Sequence, residues 1–104
     1  LQALALVHER PDGPWDAEEL GARVGLSRTR FFERFTRAVG EPPARYVARW
    51  RVFVAADTLK KQDVSTAELA DRLGYGSEDA FARVFKRYLG VTPRAYRREQ
   101  LEAS

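Results

Sequence analysis

The sequence reads GLSRTRFFERFTRAVGEPPARY over residues 25–46 and GYGSEDAFARVFKRYLGVTPRAY over residues 74–96, so the chain carries one pattern twice. Six residues recur at an offset of 50: Ser27, Phe31, Phe35, Gly40, Pro43 and Tyr46 correspond to Ser77, Phe81, Phe85, Gly90, Pro93 and Tyr96. Upstream the offset is 49, because Gly76 adds one residue to the second copy. Such self-similarity indicates a supersecondary unit used twice. Two copies are too few for a solenoid, which favours two similar contacts with one partner.

The composition narrows the class of protein. The 104 residues, 44% of them hydrophobic, fit one compact domain or two very small subdomains. Cysteine is absent, which excludes a disulfide framework and a thiolate metal site. We find no signal peptide and no apolar run near the ~20 residues of a membrane helix, so we expect a cytoplasmic protein without a membrane contact. The chain lacks a starting Met and opens inside an apolar pattern, which predicts a piece of a longer protein.

Charge alternates along the chain in step with the repeat. The net charge is −3 over residues 1–26, +6 over 27–61, −4 over 62–80 and +4 over 81–104. An isolated charge run is most simply a solvated face. Here, however, each basic block begins with the second helix of a repeat, as in a protein that binds nucleic acid.

Apolar periodicity and the placement of Gly and Pro predict an all-α fold of about seven helices. The predicted helices are about 1–9, 17–24, 28–39, 43–61, 66–73, 78–89 and 93–102. Asp16, Ser27, Ser65 and Ser77 precede four of them as caps. Each repeat is a short helix, a turn containing Gly and a longer helix, which is the helix-turn-helix signature. We therefore predict a first helix-turn-helix subdomain over 1–42, a linking helix over 43–62 and a second such subdomain over 63–104.

A helical wheel divides the longer helix of each repeat into two faces. The predicted core faces are Phe31, Phe35, Ala38 and Val39 in the first copy and Phe81, Phe85, Tyr88 and Leu89 in the second. The predicted outward faces are Thr29, Arg30, Glu33, Thr36 and Arg37, and Asp79, Ala80, Arg83, Lys86 and Arg87. Phe32 and Ala82 lie at the border between the faces.

A recognition helix places its N-terminal residues against base edges in the major groove. The candidates for base contact are Arg28, Thr29, Arg30, Phe32, Glu33, Glu78, Asp79, Ala82 and Arg83. Arg83 suits a bidentate contact to guanine, and Glu33 could accept from a cytosine amino group. Phe32 either touches a thymine methyl group or completes the core, and the sequence favours neither alternative.

The candidates for phosphate contact lie further along these helices or at their first turns. They are Ser27, Arg34, Arg37, Ser77, Lys86 and Arg87. The linking helix from Ala44 to Lys61 would span roughly 27 Å, whereas successive major grooves lie about 34 Å apart. With some offset or DNA bending, the two recognition helices are predicted to enter adjacent major grooves of one duplex.

The sequence contains no motif that indicates an enzyme. His8 is the only histidine, so no second His or Cys can complete a metal site with it. Ser27 follows Gly25-Leu26 without completing a nucleophile elbow, and no Gly-rich loop with Lys-Ser/Thr is present for nucleotide phosphates. We therefore predict a protein without a catalytic site or cofactor. A basic helical module that binds an acidic protein remains the alternative to a DNA-binding protein.

The residues of both copies resemble the DNA-binding domain of AraC/XylS-type transcription regulators. In the first copy the matching residues are ELGARVGLS over 19–27, Phe31 to Phe35, Gly40, Pro43 and Tyr46, followed by Arg51, Ala55 and Leu59. In the second copy they are Glu68-Leu69-Ala70, Gly74-Tyr75, Ser77, Phe81, Arg83, Phe85-Lys86, Gly90, Thr92-Pro93 and Tyr96-Arg97-Arg98. The match covers about residues 15–98.

The resemblance implies two helix-turn-helix subdomains that bind promoter DNA in a bacterial transcription activator that contacts RNA polymerase. It also implies a further N-terminal domain for an effector or for dimerisation. The base contacts it implies are Thr29, Phe32, Glu33, Glu78, Asp79 and Arg83. Four residues depart from the usual pattern of the family: Gly21, Glu33, Thr66 and Asp79 stand where Ala, Arg, Ile and Ser or Gln are common.

Overall fold

The protein is described by a computed structural model over residues 2–103, and within that range it contains seven helices and no strand. The helices are α1 Gln2–Glu9, α2 Ala17–Arg23, α3 Arg28–Val39, α4 Pro43–Lys61, α5 Thr66–Arg72, α6 Glu78–Leu89 and α7 Pro93–Ala103. The predicted all-α fold is confirmed, with helix bounds within one residue of those predicted. Leu1, in the first predicted helix, and Ser104, in the predicted second subdomain, lie outside the described residues.

Side-chain caps begin the short and the long helix of each repeat. The four cap side chains each accept the backbone N–H of the residue three positions later, at 2.8–3.2 Å: Asp16, Ser27, Ser65 and Ser77. Each cap satisfies a backbone donor that the helix itself leaves without a partner. The predicted caps are therefore confirmed, and they fix where α2, α3, α5 and α6 begin.

Two glycines end the long helices of the repeats. Gly40 after α3 and Gly90 after α6 have φ of 91° and 81°, in the left-handed region. Their backbone N–H groups donate to the carbonyl oxygens of Thr36 and Lys86 at 2.9 and 2.8 Å. Glycine adopts this conformation without the steric cost of a Cβ atom, so both helices end at the predicted residues.

The chain forms two compact units, and the boundary between them falls inside α4. The first unit extends to Trp50 and has its core around Leu20, Phe31 and Phe35. The second unit begins at Arg51, with the remainder of α4, and has its core around Leu69, Phe81 and Phe85.

The repeat extends to the packing of aromatic rings. The Phe35 and Tyr46 rings in the first unit meet edge to face at 5.7 Å and 72°. The Phe85 and Tyr96 rings in the second unit meet at 5.5 Å and the same angle. Such pairs stabilise a core beyond the area that they bury. In both units this contact joins the long helix of the repeat to the helix that follows it.

Two residues of the predicted core faces are exposed instead. Ala38 is exposed, and Leu89 is 42% exposed. Both lie in the last turn of their helix, within two residues of the glycine that ends it, and neither belongs to a core cluster. Thr36 and Ala80 show the opposite difference: both were predicted on the outward faces, and both are half-buried. Periodicity gives the direction of a side chain but not how far along the helix the packed neighbours extend.

Candidate nucleic-acid interface

The same backbone hydrogen bond closes the turn between the short and the long helix in both units. The Leu26 N–H donates to the Gly21 carbonyl oxygen at 2.8 Å in the first unit. The Tyr75 N–H donates to the Ala70 carbonyl oxygen at 3.0 Å in the second. The turn is therefore fixed directly before Ser27 in the first unit and one residue, Gly76, before Ser77 in the second. As a result, α3 and α6 each begin at a defined place in their unit and leave one face in solvent.

The outward face of α3 is strongly cationic. The predicted contact residues on it are all exposed: Arg28, Thr29, Arg30, Phe32, Glu33, Arg34 and Arg37. Within residues 2–103, none of its four arginines lies within ion-pair distance of a carboxylate. Their charge is therefore uncompensated by the protein, and a polyanion can supply the missing partner.

The outward face of α6 has the same character along most of its length. Asp79, Arg83, Lys86 and Arg87 are exposed, whereas Glu78 and Ala82 are half-buried. The three cations make no ion pair within the described part of the chain. The difference from α3 lies at the first turn, where two acids stand in place of Arg28 and Thr29.

Cations outside α3 and α6 are frequently neutralised by the protein. Ion pairs of 2.8–4.0 Å involve Arg10, Arg23, Arg45, Arg49, Lys61, Arg72 and Arg94. Exposed pairs of this kind add little stability, but they lower the local positive potential. Their distribution leaves the uncompensated positive charge concentrated on the two predicted recognition helices.

Phe32 lies outside the core of the first unit. Its neighbour Phe31 is buried, but the Phe32 side chain is 43% exposed and belongs to no core cluster. It lines a cavity of about 410 Å³ together with Arg28 and Pro43. Phe32 therefore does not complete the core. Its apolar ring lies at the surface, where a ligand can contact it.

A corresponding cavity of about 240 Å³ lies in the second unit, where the starts of α5, α6 and α7 meet. Three predicted base contacts line it: Glu78, Asp79 and Ala82. Polar residues outside α6 also line it: Thr66 at the start of α5, Thr92 directly before α7, and Arg94 near the start of α7. Each unit therefore has an open cleft beside the first turn of its predicted recognition helix.

Glu78 is held by two other helices. The Thr66 hydroxyl donates to its carboxylate, and an Arg94 guanidinium nitrogen lies 3.2 Å from the same oxygen, Oε2. The Thr66 hydrogen bond, followed by the contacts with Arg94, lowers the pKa of Glu78 below its ordinary value. Sequence reasoning missed Thr66 and Arg94 as partners of Glu78, because contacts 12 and 16 residues apart follow no helical spacing.

Ser27 and Ser77 use their hydroxyl oxygens as caps, as described above, and both residues are exposed. His8 lies at the end of α1, where its Nε2 is 2.6 Å from the Tyr46 hydroxyl oxygen. The His8 ring also packs against Trp50 at a centroid distance of 4.1 Å. This histidine therefore packs α1 against the beginning of α4.

The described residues, 2–103, lack two features of other classes of protein. No three His, Cys, Asp or Glu side chains in that range are grouped as a metal site would require. None of the helices from α1 to α7 combines the length and apolarity needed to cross a bilayer.

Comparisons with known proteins agree on one family. Residues 20–99 match a family model described as a helix-turn-helix domain. A Streptomyces antibioticus protein described as an AraC-like transcription regulator is 36% identical over 99 residues, which are 95% of this chain and 33% of that protein. The HTH-type transcriptional regulator AlkR of Acinetobacter baylyi is 35% identical over 97 residues, or 93% of this chain and 32% of AlkR. The chain spans about a third of the length of the curated relatives it matches.

Solved structures give the same result. The DNA-binding domain of AdpA, crystallised in complex with a target DNA, matches with a TM-score of 0.93 and 33% identity, over 98% of this chain and 92% of that one. An AraC-type regulator structure from Chromobacterium violaceum matches with a TM-score of 0.86 and 22% identity, over 98% and 91% of the two chains. The second likeness is one of fold alone.

Proposed function

We propose a function from one premise, that this chain belongs to the AraC-type family of helix-turn-helix DNA-binding domains. The chain binds double-stranded DNA in a sequence-specific way, with α3 and α6 as its recognition helices. The observation that supports this most strongly is the distribution of ion pairs. The cations on the outward faces of α3 and α6 have no carboxylate partner among residues 2–103, whereas many cations elsewhere do.

Each part of α3 has a role in this proposal. The exposed residues of its first turns face base edges: Arg28, Thr29, Arg30, Phe32 and Glu33. The Glu33 carboxylate accepts from a cytosine amino group, and the exposed Phe32 ring contacts a thymine methyl group. Arg34 and Arg37 lie further along and bind phosphates. The backbone N–H groups beside Ser27 add a phosphate contact at the start of the helix.

The second recognition helix, α6, is arranged in the same way. Asp79, Ala82 and Arg83 face bases, and Arg83 contacts guanine through two hydrogen bonds. Lys86 and Arg87 bind phosphates, as does the first turn beside Ser77. Among the predicted base contacts, Glu78 differs because its carboxylate is already engaged by Thr66 and Arg94.

The whole protein is, by this proposal, a bacterial transcription activator. Relatives about three times as long as this chain are named as transcription regulators, which supports a further domain for an effector or for dimerisation. The chain binds promoter DNA, with its two helices in adjacent major grooves, and contacts RNA polymerase. This function assigns the chain no catalysis and no cofactor, and it places the protein in the cytoplasm, where bacterial DNA lies.

Two variants of equal charge test whether α3 supplies the DNA-binding surface. In one, the unpaired Arg30, Arg34 and Arg37 are replaced by Ala. In the matched control, the paired Arg10, Arg23 and Arg72 are replaced by Ala. The measurement is the affinity for a random-sequence duplex as a function of salt, by fluorescence anisotropy.

The first variant should lower the slope of log affinity against log salt by about 1.8, because about 0.9 is lost for each of the two phosphate contacts of Arg34 and Arg37. The control should change the slope much less. Equal slopes for the two variants would mean that α3 is not the surface that meets DNA. Absence of DNA binding by the wild-type chain would instead favour the basic protein-interaction module.

A further inference from the structure

We propose that Arg94 binds a phosphate of the DNA backbone beside α6, and that Glu78 positions this arginine instead of reading a base. The inference rests on the proposed DNA-binding function and assigns a binding residue on α7, outside the recognition helices. Arg94 is the second residue of α7, and its guanidinium lies 3.2 Å from the carboxylate of Glu78, the first residue of α6. A cation from another helix is thus held at the start of the recognition helix.

The ion pair between Glu78 and Arg94 matters because the first turn of α6 is negatively charged. Glu78 and Asp79 carry two negative charges there, and the first cation of the helix itself is Arg83. Uncompensated carboxylates next to a DNA backbone repel its phosphates. Arg94 neutralises one of them, so that the start of α6 can approach the duplex.

Glu78 is held in place from two sides. Its Oε2 accepts both the Thr66 hydroxyl of α5 and the Arg94 guanidinium of α7, and its side chain is only 33% exposed. Reading a base would require this carboxylate to turn towards the groove and give up charged and hydrogen-bonded contacts. The arrangement therefore suits a positioning residue better than a base contact.

Arg94 can still bind a ligand while it is paired with Glu78. Its side chain is 76% exposed, and one guanidinium nitrogen contacts Glu78. A guanidinium carries five N–H donors in a planar fork that matches phosphate geometry. Arg94 can therefore keep its contact with Glu78 while its remaining donors bind a phosphate oxygen.

The first unit brings a guanidinium to the corresponding cleft by a different route. By the repeat, Ala17, Arg28 and Ala44 correspond to Thr66, Glu78 and Arg94. Arg28 lines the first cleft directly from α3 and makes no ion pair with any described residue, although Asp16 and Glu18 line the same cleft. In the second cleft the arginine comes from α7 and is anchored by Glu78. Both units thus place one guanidinium beside the first turn of the recognition helix.

The experiment compares point variants of the full chain on two duplexes, one enriched from a random pool by the wild-type chain and one of scrambled sequence. Arg94→Ala should weaken binding about three- to tenfold on both duplexes and lower the salt slope by about 0.9, as expected for one lost phosphate contact. Arg94→Lys should restore most of the salt slope, because a phosphate accepts a point charge. Glu78→Ala should leave the preferred base unchanged at every position of the site.

Arg72→Ala is the matched control, since Arg72 lies in the same unit and is also paired with a carboxylate, that of Glu68 at 3.0 Å. The proposal is overturned if Arg94→Ala changes the salt slope no more than this control does. It is equally overturned if Glu78→Ala alters the preferred base at one position. If the wild-type chain enriches no duplex at all, the proposed function fails, and this inference fails with it.

Discussion

The two helix-turn-helix units have nearly the same interior and different recognition surfaces. Phe35 and Phe85 are fully buried, and each packs edge to face on a tyrosine of the next helix. By contrast, α3 begins with Arg-Thr-Arg, whereas α6 begins with Glu-Asp-Ala. The repeat therefore retains the residues that the fold requires, and the residues that differ are those that would face a ligand.

The turn inside each unit shows a second difference. A Cβ atom at Gly21 would lie 2.8 Å from the Leu26 carbonyl oxygen and 3.1 Å from the Phe31 Cβ atom. The corresponding residue of the second unit is Ala70, which is buried, and the turn after it is one residue longer because of Gly76. In this chain the Leu26 carbonyl oxygen therefore leaves no room for a methyl group at residue 21, whereas the second unit buries one at Ala70.

The largest expected effect tests the shared interior. Phe35→Ala and Phe85→Ala should each lower the free energy of unfolding by about 3–5 kcal/mol, because each removes a buried ring and leaves a cavity. Phe32→Ala is the control, since this ring is largely outside the core. Urea unfolding followed by circular dichroism measures all three. A cost for Phe32→Ala equal to that of the other two would contradict the division between interior and surface.

The next effect tests the recognition surface of the second unit. Arg83→Ala should cost about 1–3 kcal/mol of binding free energy on a preferred duplex and relax the preference at one base pair. The measurement is anisotropy on a preferred duplex and on its single-base variants. An equal loss on every sequence would make Arg83 a phosphate contact only.

A third prediction concerns Gly21, at the turn of the first unit. Gly21→Ala should destabilise the chain by about 1–2 kcal/mol, because crowding against the Leu26 carbonyl outweighs the better helix propensity of alanine. If Gly21→Ala is neutral or stabilising in a urea titration, the close approach of the Leu26 carbonyl oxygen does not exclude a side chain at residue 21.

Arg37→Ala should have a smaller and uniform effect. This exposed arginine, without an ion pair among the described residues, is expected to weaken binding to all duplexes alike and to lower the salt slope by about 0.9. Binding to a preferred and a scrambled duplex at several salt concentrations measures both quantities. A loss confined to the preferred duplex would assign Arg37 to base recognition.

The smallest effect is the pH dependence of the contacts around Glu78. The pKa of Glu78 lies below its ordinary value of 4.5, mainly because of the Thr66 hydrogen bond and then Arg94. A depressed pKa in the folded state contributes stability above the unfolded pKa, and that stability is lost as the pH falls through the folded value. The stability difference between the wild type and Glu78→Gln should therefore be constant at pH values well above 4.5 and should shrink as the pH falls below 4.5. A difference that stays constant would show that this carboxylate does not stabilise the fold by being ionised.

The local features of the fold were predictable from the sequence, and the contacts between helices were not. The caps at Ser27 and Ser77 and the glycine ends at Gly40 and Gly90 depend on neighbouring residues only, and all were confirmed. Helical periodicity also identified the buried Phe35 and Phe85 correctly. It was wrong for Ala38 and Leu89, whose exposure depends on where the packed neighbours end.

For the candidate site too, features of a single helix were predictable and contacts between helices were not. The exposed cations of α3 and α6 are a property of single helices, so a helical wheel finds them. The engagement of Glu78 by Thr66 and Arg94 joins three helices, and only the tertiary structure brings these residues together. The close approach at Gly21 is likewise a contact between α2 and the start of α3. The base and phosphate contacts themselves remain predictions.

In vitro selection from a random duplex pool with the wild-type chain tests the central claim most directly. The account predicts an enriched motif of two blocks about one helical turn apart, one block for α3 and one for α6. It further predicts that the selected duplex is preferred over random DNA by ~10³ or more. Absence of any enriched motif from a folded, helical chain would contradict the account and would leave the cationic faces without a sequence-reading role.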